Sequence, residues 1–149
     1  MRLREISCLI SRYEVFSDEQ GYSRELEVDE CVPPSDLADV VGRYDETALH
    51  LLALEGERPI GTVRLMYPPS MNKYKLGRLA VRKSGRGKGV AQRLVSALGI
   101  AAKEMGAEAI YAGSQVPVRG LYEKCGYECI GEEYLDQGQP HIWMVKSLV

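Results

Sequence analysis

Apolar and polar positions change period several times along the chain, and each change marks an element. Leu3, Ile6, Ile10 and Tyr13 recur at helical spacing and predict an amphipathic helix over residues 3–14. Residues 21–46 are acidic and turn-rich. The Pro33-Pro34 pair forbids regular structure there, while Ser35 can cap a short helix over 35–41. Residues 48–54 are an apolar, β-compatible run, 56–59 (Gly-Glu-Arg-Pro) a turn, and 60–67 a second strand closed by Pro68-Pro69-Ser70. A third strand covers 75–81. Val90, Leu94, Ala97, Leu98, Ala101 and Met105 then repeat at helical spacing, with Gln92, Arg93, Ser96, Lys103 and Glu104 largely opposite. Gly106 is placed to stop that helix. Residues 107–112 read as a strand parallel to 75–81, because a helix joins the two. A short helix ended by Gly126 and a strand through 138–144 complete the pattern. The class is α/β.

The chain has 149 residues, which predicts a single domain (1–149), with 31–46 as a surface insertion. No apolar run approaches the length of a membrane span, and the N-terminus lacks a signal-peptide pattern. Cys8, Cys31, Cys125 and Cys129 lack zinc-ligand spacing, so no metal is expected, and they read as free thiols in a reducing compartment. The expected location is cytoplasmic, or nucleocytoplasmic if the source has a nucleus.

Charge sharpens the picture. The formal net charge is −2, yet between Arg58 and Lys103 there are eleven Lys/Arg and no Asp or Glu. The other eight basic residues face twenty-one acidic ones, so the flanks carry 8 − 21 = −13. One-signed charge confined to one stretch implies an anionic partner at that place. The acidic remainder argues against a surface that tracks nucleic acid.

Inside the basic stretch, a strand runs through Arg86-Gly87-Lys88-Gly89 into a helix, presenting backbone N–H groups and a positive dipole end, as phosphate sites do. The spacing fails the nucleotide-triphosphate loop, since Gly89 follows Lys88. It also fails the dinucleotide fingerprint, since Gln92 stands where Gly or Ala is needed. Arg86-x-x-Gly89-x-Ala91 instead resembles the pyrophosphate signature (Q/R-x-x-G-x-G/A) of the GNAT N-acetyltransferases. Further on, Leu121-Tyr122-Glu123-Lys124-Cys125-Gly126-Tyr127 resembles that family's second signature. Arg12 to Gln20 (R-x-x-V-F-x-x-E-Q) and Gly138 to Met144 (G-x-P-H-I-x-M) are similar to elements of its ElaA/YjcF-like branch of small acetyltransferases. The branch usually has a strand before the first helix, for which this chain has almost no room.

The resemblance implies a GNAT fold: a mixed central β-sheet with splayed parallel strands flanked by helices, acetyl-CoA as cosubstrate, and transfer of an acetyl group to the primary amine of a small molecule. It assigns the cofactor to Leu79, Ala80, Val81, Arg86, Gly87, Lys88, Gly89, Val90, Ala91, Gln115 and Tyr122. Backbone N–H groups near Leu79 and Val81 would hold the pantetheine arm and polarise the carbonyl. Tyr122 would be the general acid, because a phenol keeps its proton at neutral pH and can give it to a thiolate. The competing reading is an aromatic of the core. His141 would be the base or a substrate ligand, with His50, or a water chain or a buried carboxylate such as Glu19, as competitors; a strand histidine can also be mere hydrogen-bonded structure. Arg12, Phe16, Glu19, Gln20 and His141 would line the acceptor side. Acidic residues such as Glu25 suit a cationic acceptor and Arg12 an anionic one, so the amine stays open. So do a homodimer, a protein-lysine substrate, and a module that binds acyl-CoA without turnover. No nucleic-acid or membrane partner is expected.

Overall fold

The computed structural model describes residues 48–149. The expected helices over 3–14 and 35–41, the insertion at 31–46, and Arg12, Phe16, Glu19 and Gln20 lie outside the described residues. Elements are numbered here within the described part. Strands β1 (Leu49–Glu55), β2 (Arg58–Met66) and β3 (Lys75–Val81) precede helix α1 (Val90–Glu104). Strand β4 (Ala109–Gln115), helix α2 (Arg119–Lys124), β5 (Glu128–Asp136) and β6 (Gln139–Ser147) follow. The six strands form one sheet in the order β1-β2-β3-β4-β6-β5. Only β3 and β4 pair parallel; every other neighbouring pair is antiparallel. Among the described residues no helix is long and apolar enough to cross a membrane.

The turn between β1 and β2 is shorter than the expected 56–59. Arg58 already pairs with Glu55, leaving Gly56 (φ +62°) and Glu57 as the loop. Pro59 therefore stands in β2. The register slips there, pairing Leu54 with Pro59 but Ala53 with Gly61. A bulge is where a residue without an N–H does least harm to a ladder. Strand β4 starts two residues later than expected and runs on to Gln115, since Gly113, Ser114 and Gln115 pair with Trp143, Ile142 and His141 of β6. Strand β5 has no counterpart among the expected elements. Eight of its nine residues are exposed, so it shows no apolar alternation to read.

Helix α1 packs on one sheet face. Its buried stripe Val90, Leu94, Val95, Leu98 and Ala102 meets Val63, Leu65, Leu76, Ile110, Ala112, Ile142 and Met144 in one core. At the helix end, Ala107 N–H reaches Ala102 O and Gly106 N–H reaches Lys103 O, both at 3.0 Å, with Gly106 at φ +88°. That is a Schellman stop, as Gly106 led one to expect.

The close approach of α1 to β2 depends on Gly61. A Cβ at this position would lie 3.2 Å from Ala80 O, Leu94 Cδ1 and Val90 Cγ1. Gly61→Val should therefore destabilise the fold by about 1–3 kcal/mol through overpacking. In α2, a Cβ at Gly120 would meet nothing within 4 Å, so Gly120→Ala should be neutral or stabilising by up to about 1 kcal/mol. Urea unfolding of both variants checks the contrast, and equal stability in Gly61→Val and native protein would refute the close packing.

Candidate active site

The site begins with one surplus residue. Along β2–β3, Thr62 pairs with Ala80 but Arg64 with Gly77, so Arg78 and Leu79 together oppose Val63. Arg78 takes φ +52°, the left-handed conformation that bulges often use and that a side chain seldom adopts. The strand turns at that point. Its parallel pairing with β4 is confined to Lys75 with Tyr111 and Leu76 with Ala112, and beyond them the strands part.

The backbone that lines this gap can be oriented by alternation. Arg82 N–H donates to Ile60 O at 2.8 Å, so it faces β2. Successive peptide groups point to opposite sides of a strand, so Ala80 N–H faces β2 while the N–H groups of Leu79 and Val81 face the gap. Arg86 Nε donates to Val81 O at 3.0 Å, consistent with that direction, and ties the glycine loop back to β3.

The loop leads into α1 through Gly89 at φ +73°, with Gly87 at φ +77°. At both positions a Cβ would meet nothing within 4 Å, so internal packing does not require glycine there. The backbone angle does, and the outer side is open to a ligand. Helix α1 has no side-chain cap and no acidic residue in its first turn. The amides of Val90 and Ala91 thus stand at an uncapped, positive helix end. Lys88 Nζ is hydrogen-bonded to Glu55. That bond and the Lys88 charge hold the Glu55 carboxyl below its ordinary range, with Arg58 adding a smaller pull at 3.7 Å.

The two sheet faces carry different groups. Ile110, Ala112 and Ser114 of β4 are buried on the α1 side, which puts Tyr111, Gly113 and Gln115 on the other. Tyr122, on α2, is buried with the α1-side core, its ring edge-on to Tyr127 at 5.6 Å. Cys125 seats α2 on α1, its thiol 3.9 Å from Gln92 O and 3.8 Å from Ser96 Oγ. His141 pairs with Gln115 across β4–β6, so it lies on the opposite face from Tyr122, one strand from the gap. It is buried, and its Nδ1 lies 2.8 Å from Gln139 O. A carbonyl can only accept, which puts the proton on Nδ1 and leaves the Nε2 lone pair available in the neutral ring. His50 pairs with Arg64 across β1–β2, on the far side of β3.

A match to the acetyltransferase (GNAT) domain family spans residues 16–148. The chain belongs to the GNAT family. This GNAT protein is 34% identical over 137 residues to YjcF of Bacillus subtilis (strain 168), an uncharacterized N-acetyltransferase, covering 91% of this chain and 87% of that one. Its fold matches an acyl-CoA N-acyltransferase from Pseudomonas aeruginosa (TM-score 0.76, 25% identity, 99% and 93% of the two chains). It also matches Escherichia coli ElaA (TM-score 0.73, 23% identity, 99% and 93%). It is thus an N-acetyltransferase by family, and proteins of this family bind coenzyme A or acetyl-CoA and acetylate amines.

Of the residues the sequence singled out, Leu79 and Val81 lie on β3 at the gap and the glycine loop beyond its end, while Gln115 and His141 share one sheet face and Tyr122 lies on the other. Sequence reasoning missed the Arg78 bulge and the whole of β5, including Tyr134, whose ring lies 5.7 Å from His141. Arg78 offers no glycine to mark its left-handed turn.

Burial pushes the phenols of Tyr122 and Tyr127 well above their ordinary value; their mutual proximity (at Tyr127) and the nearby Cys125 add to it. A raised pKa in the folded state means that the native form holds its proton after the unfolded chain has released it. This contribution to stability is complete below the ordinary phenol pKa near 10 and is lost as pH rises beyond it. In an alkaline titration, Tyr122 and Tyr127 should ionise only as the fold is lost. Phenolate absorbance that is complete before the near-ultraviolet dichroism collapses would contradict this.

Proposed function

We propose that this chain moves the acetyl group of acetyl-CoA to the primary amine of a small molecule by direct attack, in the gap between β3 and β4. The observation that carries the reading is the early parting of those strands, which turns the Leu79 and Val81 amides toward open space beside an uncapped helix end. The residues fit the cofactor. The amides of Arg86 to Ala91 would hold the pyrophosphate, and those of Leu79 and Val81 the pantetheine arm and the carbonyl oxygen. Arg86, Lys88 and the neighbouring basic residues supply the countercharge; Lys88 exchanges Glu55 for phosphate. Ala80, with its N–H toward β2, contributes by its place in the strand rather than by a hydrogen bond.

Acetyl-CoA supplies the acetyl group as a thioester. The chain supplies proton management on two sides. On the acceptor face, His141 Nε2 takes a proton from the ammonium so that the nitrogen can attack, while the Nδ1–H bond to Gln139 holds the tautomer. On the α1 face, Tyr122 keeps its proton at neutral pH and gives it to the sulfur as charge develops there. Gln115 lies in register with His141 and would bond to the pantetheine amides or a site water.

Acetyl-CoA at a hundred times its dissociation constant should stabilise the native protein by about 2.7 kcal/mol, read as a thermal shift. Gly89→Val should lose that shift, because a branched side chain at φ +73° is strained and blocks the phosphate's approach. An unchanged melting temperature in saturating acetyl-CoA would refute the cofactor site.

Tyr122→Phe keeps the ring and removes the proton. With acetyl-CoA affinity nearly intact, thiol release across an amine panel should fall about 10²-fold, or some 2.7 kcal/mol. Full activity in this variant would return Tyr122 to the core.

For His141, kcat/KM should rise with pH, and His141→Ala should lose both activity and that rise while still binding acetyl-CoA. Survival of the rise in His141→Ala but not in His50→Ala would make His50 the base.

A further inference from the structure

Strand β5 carries a register device beside His141. Glu128, Cys129 and Ile130 pair in step with Val145, Met144 and Trp143. Continuing that step would set Glu132 opposite His141. Instead the register slips by two residues, around Gly131 at φ +73°, and Tyr134 stands opposite His141, followed by Leu135 with Pro140 and Asp136 with Gln139. The Tyr134 ring lies 5.7 Å from the His141 ring at 30°, and 6.0 Å from that of Trp143 at 26°. Its hydroxyl reaches over β4: a Cβ on Gly113 would fall 2.6 Å from Tyr134 Oη. Gly113 thus leaves the room that the phenol occupies.

The two arrangements differ chemically. A carboxylate opposite the imidazole would favour the imidazolium, which has no lone pair with which to take a proton. An aromatic ring adds no charge and restricts the plane of its neighbour. Among the described residues, this face also carries the buried Arg64 of β2, and Tyr111 of β4 with Lys73 over its ring at 4.7 Å. Asp136 lies opposite Gln139, two residues from His141. Glu132 and Glu133 sit inside the slipped segment, and Lys75 lies over Trp143 at 5.3 Å. Strand β4 faces His141 with the neutral Gln115, and β2, β3, β4 and β6 contain no Asp or Glu.

We propose that Tyr134 is a positioning residue for His141: the slipped β5 register puts an aromatic ring, and not Glu132, against the imidazole, holding its plane for proton transfer. The inference rests on His141 acting as the base. Its test therefore has one readout that needs no turnover. The chain has two histidines, so His50→Gln leaves a single imidazole for NMR titration. In that background Tyr134→Phe, which keeps the ring, should move the His141 midpoint less than Tyr134→Glu does. Tyr134→Glu should move the His141 midpoint to higher pH and displace the kcat/KM profile in the same direction. It should cost about 10-fold at neutral pH, recovered on raising the pH. Gly113→Ala, which pushes the phenol away while leaving β5 unchanged, should broaden the His141 signal and lower kcat/KM without altering acetyl-CoA affinity. A His141 midpoint in Tyr134→Glu coincident with the parent's would overturn the proposal. A displaced midpoint beside an undisplaced rate profile would uphold the packing of Tyr134 on His141 and overturn His141 as the base.

Discussion

The described part of the molecule depends on the refusal of two parallel strands to stay paired. Strands β3 and β4 share two register positions and then separate, because β3 carries one residue more than β2 can match. A parallel pair in mid-sheet would ordinarily be satisfied along its whole length, since amides left unpaired in a sheet's interior are costly. Here the separation is tolerated because β3 remains anchored to β2 past the bulge, through Thr62–Ala80 and Gly61–Val81. What β3 gives up on its β4 side becomes two outward amides. The geometry that costs sheet hydrogen bonds is the geometry that can hold an acyl group.

Everything else serves that opening from one side or the other. Helix α1 packs closely on β2 at Gly61, where a Cβ would also meet Ala80 of β3. Its uncapped start follows the end of β3 through the glycine loop. The α1 face is apolar and carries Tyr122; the other face carries His141, Tyr134 and Trp143. In the proposed roles, Tyr122 and His141 could serve one reaction only through an opening in the sheet, and the gap is proposed as that opening.

The glycine loop, the central helix and its stop, and the positions of Tyr122 and His141 were legible because each rests on local chemistry: a φ that favours glycine, a 3.6-residue apolar period, a short motif. The β3 strand was predicted with its observed ends. The bulge was not legible, because Arg78 adopts a left-handed backbone without a residue type that announces it. Strand β5 was missed because it is an exposed edge, where burial imposes no alternation. Tyr134 acquires its place from a two-residue slip between strands, and such pairing is a property of the folded sheet rather than of any local stretch.

Amide hydrogen exchange, resolved by residue, tests the central claim most directly. In the free protein the amides of Leu79 and Val81 should exchange fast while that of Ala80, turned into β2, is protected. Saturating acetyl-CoA should slow Leu79 and Val81 together with Gly87 to Ala91, leaving Ala80 as it was. Protection of Leu79 and Val81 without ligand, or exchange there that acetyl-CoA does not slow, would contradict the account.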